Sequence, residues 1–155
     1  MELEYIAEWF QYADNDLASA EYLCGMRPQP LEIICYHCQQ SAEKYLKGYL
    51  IYNGIVEPPK THNLDDLCEL CSNSDERFQA ISTHCNNLTA YGVQPRYPNE
   101  MEILETDMQN ALEHARSIRD FELLAKARAA VSLNRRMVAP TPKSKQKTIV
   151  EETRT

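Results

Sequence analysis

The chain has 155 residues, 43% of them hydrophobic, which suffices for one domain that buries its own core without disulfides or a metal. The formal charge of −7 is unevenly distributed, because six basic and two acidic residues from Arg135 onward give +4 and the preceding part carries −11. So acidic a main part excludes broad, charge-driven binding to a nucleic-acid duplex. It does not exclude RNA contact through a local basic groove or the tail. No apolar run approaches the roughly 18 residues of a membrane span and the N-terminus is acidic, so we expect a cytoplasmic protein without a transmembrane segment or signal peptide.

The first predicted helix runs from Glu2 to about Cys24, because apolar residues recur there at spacings of three and four. The residues in this register are Ile6, Trp9, Ala13, Leu17, Ala20 and Cys24. Asp14 and Asp16 lie close to the packed side of the helix. Each therefore either accepts a hydrogen bond from a neighbouring helix or belongs to a solvated acidic flank.

The second predicted helix, from Ile34 to Tyr52, has a broad apolar arc on one side and a polar stripe on the other. The stripe consists of His37, Gln40, Lys44 and Lys47. Gly54, Pro58 and Pro59 end the helix, since proline lacks an N–H and disfavours the helical conformation of the residue before it. Thr61 is then the predicted N-cap of a third helix.

The third predicted helix ends near Cys71, and Ser74 caps a fourth one that continues to about Tyr91. The segment from Tyr91 to Pro98 contains one glycine and two prolines and excludes regular structure. A last helix begins at about Asn99 and extends to Phe121 or through to Leu133. The sequence therefore predicts an all-α, up-and-down bundle of four to five helices in residues 1–133, followed by a disordered basic tail in residues 134–155.

Two pairs of cysteines, Cys35 with Cys38 and Cys68 with Cys71, have the C-x2-C spacing found in zinc sites. Both pairs lie within helical patterns without a glycine knuckle, where two small buried hydrophobic residues produce the same spacing. We predict reduced cysteines in the core, with a metal site or disulfides as the alternative, and no cofactor.

Common enzyme motifs are not present: the sequence has no G-x-S-x-G, no glycine-rich phosphate loop and no histidine pair at metal-ligand spacing. What remains is a set of polar residues at the predicted junctions between helices. They are Gln40, Lys44, Lys47, Lys60, His62, Arg96 and Tyr97. Each has a purely structural interpretation, such as an i,i+4 pair of Glu43 with Lys47 on a solvated face. Together, lysine, arginine and tyrosine from several elements are also the groups that bind a phosphate and a base.

Several motifs in order along the chain resemble the HEPN domain family over about Glu2 to Arg119. They are Trp9 with Asp16-Leu17 and Ala20, then YHCQQSAEKYLKGYL followed by Gly54, then PPKTHNLDDL, then LTAYGVQPRYP before a helix containing ALEHA. The resemblance implies a helical bundle that commonly forms a homodimer. It also implies a minimal nucleotidyltransferase as partner, in a toxin–antitoxin-like or defence module.

Many members of this family are metal-independent ribonucleases that use an R-x4-6-H motif. Arg96 matches the arginine of the motif, but no histidine follows it within the required window. Arg77 and His84 have the spacing and lie within the predicted fourth helix, away from the usual motif position. Without a histidine beside Arg96, this arginine holds a phosphate but does not complete acid–base catalysis.

Three functions therefore compete. The leading hypothesis is a non-catalytic, homodimeric HEPN protein that binds a nucleotide or RNA in a groove formed by the seven polar residues named above and pairs with a nucleotidyltransferase. The first alternative is a ribonuclease toxin that uses Arg77 and His84 as catalytic residues. The second is a structural adaptor without a ligand. Tyr97 is in addition a candidate for modification by the partner, by its position alone.

Overall fold

The computed structural model describes residues 2–92 and 102–137. Six α-helices form in these ranges: α1 Glu2–Leu23, α2 Leu31–Tyr52, α3 Leu64–Ser74, α4 Ser82–Thr89, α5 Glu105–Asp120 and α6 Glu122–Met137. Two 3-10 segments, Glu76–Ile81 and Ala90–Gly92, flank α4. All regular structure in the described ranges is helical, which confirms the predicted all-α bundle. None of the described helices is long and apolar enough to cross a membrane.

The last predicted helix is in fact two helices, so the described ranges contain six α-helices where the sequence predicts four to five. The backbone of Phe121 is extended (φ −57°, ψ 133°) and separates α5 from α6. The predicted start at about Asn99 lies outside the described residues. Within them α5 begins only after Leu104, whose N–H donates to the carboxylate of Asp107. Helix α6 extends past Leu133 to Met137, and residues 138–155 lie outside the described ranges.

The N-cap of α3 is Asn63 and not, as predicted, Thr61. The Asn63 side-chain oxygen accepts hydrogen bonds from the N–H groups of Asp65 and Asp66. The Thr61 hydroxyl instead accepts from the N–H of Asn63. Thr61 therefore forms a turn just before the helix, which satisfies a different backbone group.

The predicted fourth helix is divided as well. Its first part is the 3-10 segment, which Asp75 rather than Ser74 caps by accepting from the N–H of Arg77. Only the second part, α4, is an α-helix. Arg77 and His84 consequently lie in two different elements, and the expectation that both belong to one α-helix is wrong.

Helix α2 lies at the centre of the bundle, packed against α1, α3, α5 and α6. Its contact with α1 is close at Gly48, where an added Cβ would be 2.7 Å from Cε1 of Phe10 and 3.2 Å from Cβ of Trp9. The apolar arc predicted for α2 is buried at Ile34, Tyr45, Leu46 and Leu50, whereas Tyr52, predicted to belong to it, is 40% exposed at the end of the helix. The absence of a side chain at Gly48 thus sets how closely the two longest helices approach.

The cysteines lie where their apolar register places them. All six are free thiols, and five of them are buried. Burial raises the pKa of the Cys35 thiol to about 12, so this side chain stays protonated and unreactive at neutral pH. No group of three or more His, Cys, Asp or Glu side chains within residues 2–92 and 102–137 is arranged to hold a metal ion.

Candidate functional site

The centre of the candidate site is the carboxylate of Glu43 on α2, which is only 4% exposed. Its Oε2 accepts a hydrogen bond from Lys47 Nζ at 3.2 Å, and its Oε1 accepts one from Gln39 Nε2 at 3.2 Å. His62 Nδ1 lies 3.0 Å from the same Oε1. Because an ionised carboxylate only accepts, the proton of this contact belongs to Nδ1 of His62. These four residues form the Glu43 network.

A second carboxylate, Asp16 on α1, has a similar set of neighbours on α2. His37 Nδ1 lies 3.0 Å from Asp16 Oδ1, and Lys44 Nζ donates to Oδ2. Asp16, His37 and Lys44 form the Asp16 network. Of the two interpretations that the sequence leaves for Asp16, the structure therefore selects the hydrogen bond to a neighbouring helix. The same holds for Asp14, which accepts from the hydroxyl of Tyr45.

The polar stripe of α2 is part of the contact between α1 and α2. Lys47 is 6% exposed and Lys44 is half-buried, so the stripe faces α1 and not bulk water alone. Each lysine faces one carboxylate, and with neutral histidines the formal charges cancel within each network. The Glu43–Lys47 pair expected from the sequence forms, but in the interior, where a charge without its partner is costly.

Gln40 joins the Glu43 network indirectly. Its Nε2 donates to Oε1 of Gln39 at 2.7 Å, and Gln39 Nε2 also donates to the backbone oxygen of His62 at 3.0 Å. Gln39 thereby links α2 to the connection before α3. Gly92 packs on its amide, because a Cβ at that position would be 3.0 Å from Gln39 Nε2.

The structure therefore brings together part of the predicted site. Gln40, Lys47 and His62 meet at the Glu43 network, Lys44 belongs to the Asp16 network, and Lys60 is exposed shortly before His62. Arg96 and Tyr97 lie outside the described residues, in the segment that follows Gly92.

Sequence reasoning missed the central roles of Gln39 and Glu43. Residues 39, 43 and 47 are spaced at four and share a face of the helix. This spacing is the feature of the sequence that could have indicated that Gln39 and Glu43 contact each other and Lys47.

An aromatic cleft lies beside the two networks, between α1 and α2. It has a volume of about 270 Å³ and is lined by Tyr5, Glu8, Trp9, Tyr12 and Lys44. The rings of Tyr5 and Trp9 meet edge to face with centroids 6.2 Å apart. Lys47 Nζ lies 6.0 Å from the centroid of the Trp9 ring, a cation–π distance.

The alternative catalytic residues have other partners. Arg77 donates hydrogen bonds to both carboxylate oxygens of Asp75, the shortest at 2.7 Å, and its guanidinium lies 3.5 Å from the carboxylate of Glu122. His84 Nδ1 lies 2.8 Å from His114 Nδ1 on α5. Arg77 holds the pKa of Asp75 below its ordinary value, while burial and the neighbouring His84 lower the pKa of His114. Each residue is thus engaged by a group other than its proposed catalytic partner.

Comparison with known proteins identifies the family of this chain. Neither the search of curated proteins nor the search of solved structures found a match. The HEPN domain matches residues 6–126, which include all of the Glu43 network, the Asp16 network and most of the aromatic cleft. The match covers well over half of the chain, and the protein therefore belongs to the HEPN domain family.

Proposed function

We propose that this protein binds a nucleotide or RNA phosphate at the face of the Glu43 network, as a non-catalytic partner of a minimal nucleotidyltransferase in a toxin–antitoxin-like or defence module. One observation carries the binding part of the proposal. A single buried carboxylate, Glu43, contacts His62, Gln39 and Lys47 at 3.0 to 3.2 Å. A small number of polar groups held in fixed positions orients a ligand and gives a binding site its specificity.

The exposed side of this network suits an anion. The His62 side chain is 70% exposed, and its contact with Glu43 uses Nδ1, which leaves Nε2 for a ligand. Lys44 and Lys47 already face carboxylates, so the positive charges available to a phosphate are those of Lys60 and of Arg96, which follows Gly92 in the sequence. Tyr97, next to Arg96 in the sequence, provides a ring for stacking on a base.

The non-catalytic part of the proposal is supported by the positions of Arg77 and His84. A ribonuclease of this family needs an arginine and a histidine acting on one phosphate. Here Arg77 is held by Asp75 and Glu122, and His84 by His114 on α5. The groups that hold these two side chains thus belong to different elements of the bundle.

The proposal includes a homodimer and the nucleotidyltransferase partner. Leu133 and Met137, one turn apart on α6, are exposed apolar side chains, and a symmetric contact between copies would cover them. Family membership supports the nucleotidyltransferase. Light scattering of the protein and of Leu133→Glu tests the dimer, with a loss of dimer expected in the variant. Co-purification with a co-expressed minimal nucleotidyltransferase tests the partner.

The binding experiment is a thermal-shift screen with nucleoside mono-, di- and triphosphates and short RNA oligomers, followed by gel analysis of the RNA. We expect stabilisation of about 2.7 kcal/mol at 100 times the dissociation constant. It should be lost in Lys60→Gln and Arg96→Gln and kept in Lys126→Gln, which removes an exposed lysine of α6. A shift that survives in Lys60→Gln and Arg96→Gln contradicts the site. No shift at all supports a structural adaptor, and cleaved RNA supports a ribonuclease.

A further inference from the structure

The aromatic cleft has features that the proposed phosphate site does not use. Two of its rings are open to solvent, since Tyr5 is 41% and Tyr12 59% exposed. Trp9, between them in the sequence, already attracts the ammonium group of Lys47. Aromatic faces grouped around a small cavity are a binding site for a cation such as a lysine or arginine side chain.

The charges around the cleft favour the same kind of ligand. Lys44 lines the cleft, but its ammonium group donates to Asp16 and is neutralised there. Glu8 lines it too, and it has no salt bridge to any residue of the ranges 2–92 and 102–137. The cleft therefore combines three aromatic rings with one carboxylate whose charge is not balanced within the described part of the chain.

The chain itself contains a basic segment whose charge is opposite to that of Glu8. Residues 138–155 include Lys143, Lys145 and Lys147, whereas the chain before Arg135 is strongly acidic. Helix α6 leads into this segment beside the start of α1, because Arg135 forms a bidentate ion pair with Glu4 at 3.0 and 3.3 Å. Glu4 is one helical turn from Glu8 in the cleft.

The length of the chain allows the contact. Lys143 is six residues beyond Met137, the last residue of α6, and six extended residues span about 20 Å. From Glu4 to Tyr12 the distance along α1 is about 12 Å, and the cleft lies on another side of the helix from α6, about 10 Å across. Lys145 and Lys147, which follow Lys143 in the sequence, extend the reach of the segment further. We propose that the aromatic cleft binds a lysine side chain of this protein's own C-terminal segment, with Glu8 as the countercharge, so that the segment lies across the junction of α1 and α2.

The experiment uses Trp9, the single tryptophan of the chain, as a reporter inside the cleft. Acrylamide quenching of its fluorescence is measured in the full chain and in the variant Lys143→Gln/Lys145→Gln/Lys147→Gln. We expect the variant to be quenched more strongly, because its C-terminal segment no longer covers Trp9. An exposed cation–π contact corresponds to about a two- to fivefold change in the equilibrium constant between the bound and the released segment. The difference should disappear at about 1 M salt, where charges are screened within about 3 Å.

Two matched controls separate this contact from a general effect of charge. Lys126→Gln removes an exposed lysine of α6, and it should be quenched like the unmodified chain. Glu8→Gln should raise quenching to the level of the triple variant, whereas Glu69→Gln, which changes an exposed glutamate of α3, should not.

Equal quenching of the full chain and the triple variant at low salt would overturn the proposal. So would a difference that grows with protein concentration, because it would place the segment of a second copy in the cleft. A peptide of residues 138–155 added to the triple variant should restore protection of Trp9. All the altered side chains in the described ranges are exposed, so these variants are expected to fold.

Discussion

Asp16 on α1 and Glu43 on α2 have equivalent surroundings: each carboxylate contacts one lysine Nζ and, through its other oxygen, one histidine Nδ1. The two differ in burial, because the side chain of Glu43 is almost fully enclosed and that of Asp16 less so. This difference decides how much each contributes to stability, and it leads to two predictions that check each other.

Replacing Glu43 by glutamine should destabilise the protein strongly. The substitution leaves the ammonium group of Lys47 in the interior without a countercharge, and breaking a buried pair on one side costs about 3–5 kcal/mol. Urea unfolding at pH 7 measures the change. The exposed Glu69→Gln is the matched control and should change the free energy of unfolding by less than about 0.5 kcal/mol. A cost for Glu43→Gln below about 1 kcal/mol would contradict the assigned role of Glu43.

Replacing Asp16 by asparagine should cost less, about 1 kcal/mol, although this substitution also removes a carboxylate that faces one lysine and one histidine. Lys44 is half-buried, so water solvates its charge once the carboxylate is gone. The same urea titration applies, and the expected result is the order Glu43→Gln above Asp16→Asn. The opposite order would show that burial does not control the two networks.

Replacing Gly48 by alanine should destabilise the contact between α1 and α2. The new Cβ meets the ring of the buried Phe10 at 2.7 Å, and overpacking of this kind costs about 1–3 kcal/mol. The higher helix propensity of alanine offsets about 1 kcal/mol of this cost. Thermal unfolding measures the net effect, and Phe10→Leu combined with Gly48→Ala should recover part of the loss. Additive effects of the two substitutions would argue against a direct clash.

The contact of His84 with His114 should make stability depend on pH. Burial and the neighbouring His84 lower the pKa of His114 from its ordinary value of 6.5 in the folded protein. The unfolded chain therefore binds more protons than the folded one below about pH 6.5, and the free energy of unfolding should fall as the pH decreases through that range. His114→Gln removes the titrating group and should flatten this part of the profile. An unchanged slope between pH 7 and 5 would assign the dependence to other groups.

The main course of α1 and α2 follows from local sequence information. The register of apolar residues defines α1 and α2, the prolines after Gly54 end α2, and the polar stripe of His37, Gln40, Lys44 and Lys47 is visible in the sequence alone. Ordered motifs along the chain also indicate the HEPN family, which the match over residues 6–126 confirms. Periodicity carries this information because each helix buries one face of its own sequence.

Only the tertiary structure decided which groups meet. Lys44 faces Asp16 across 28 positions of sequence, and His62 reaches Glu43 from a connection that has no helical register. Such contacts depend on the distance and rotation between elements, which at α1 and α2 is set by the missing side chain of Gly48. The break at Phe121 also involves a tertiary contact, because the ring of Phe121 packs on that of Phe78 with centroids 5.1 Å apart. The cap at Asn63 is by contrast a local hydrogen bond, and the sequence alone did not distinguish it from a cap at Thr61.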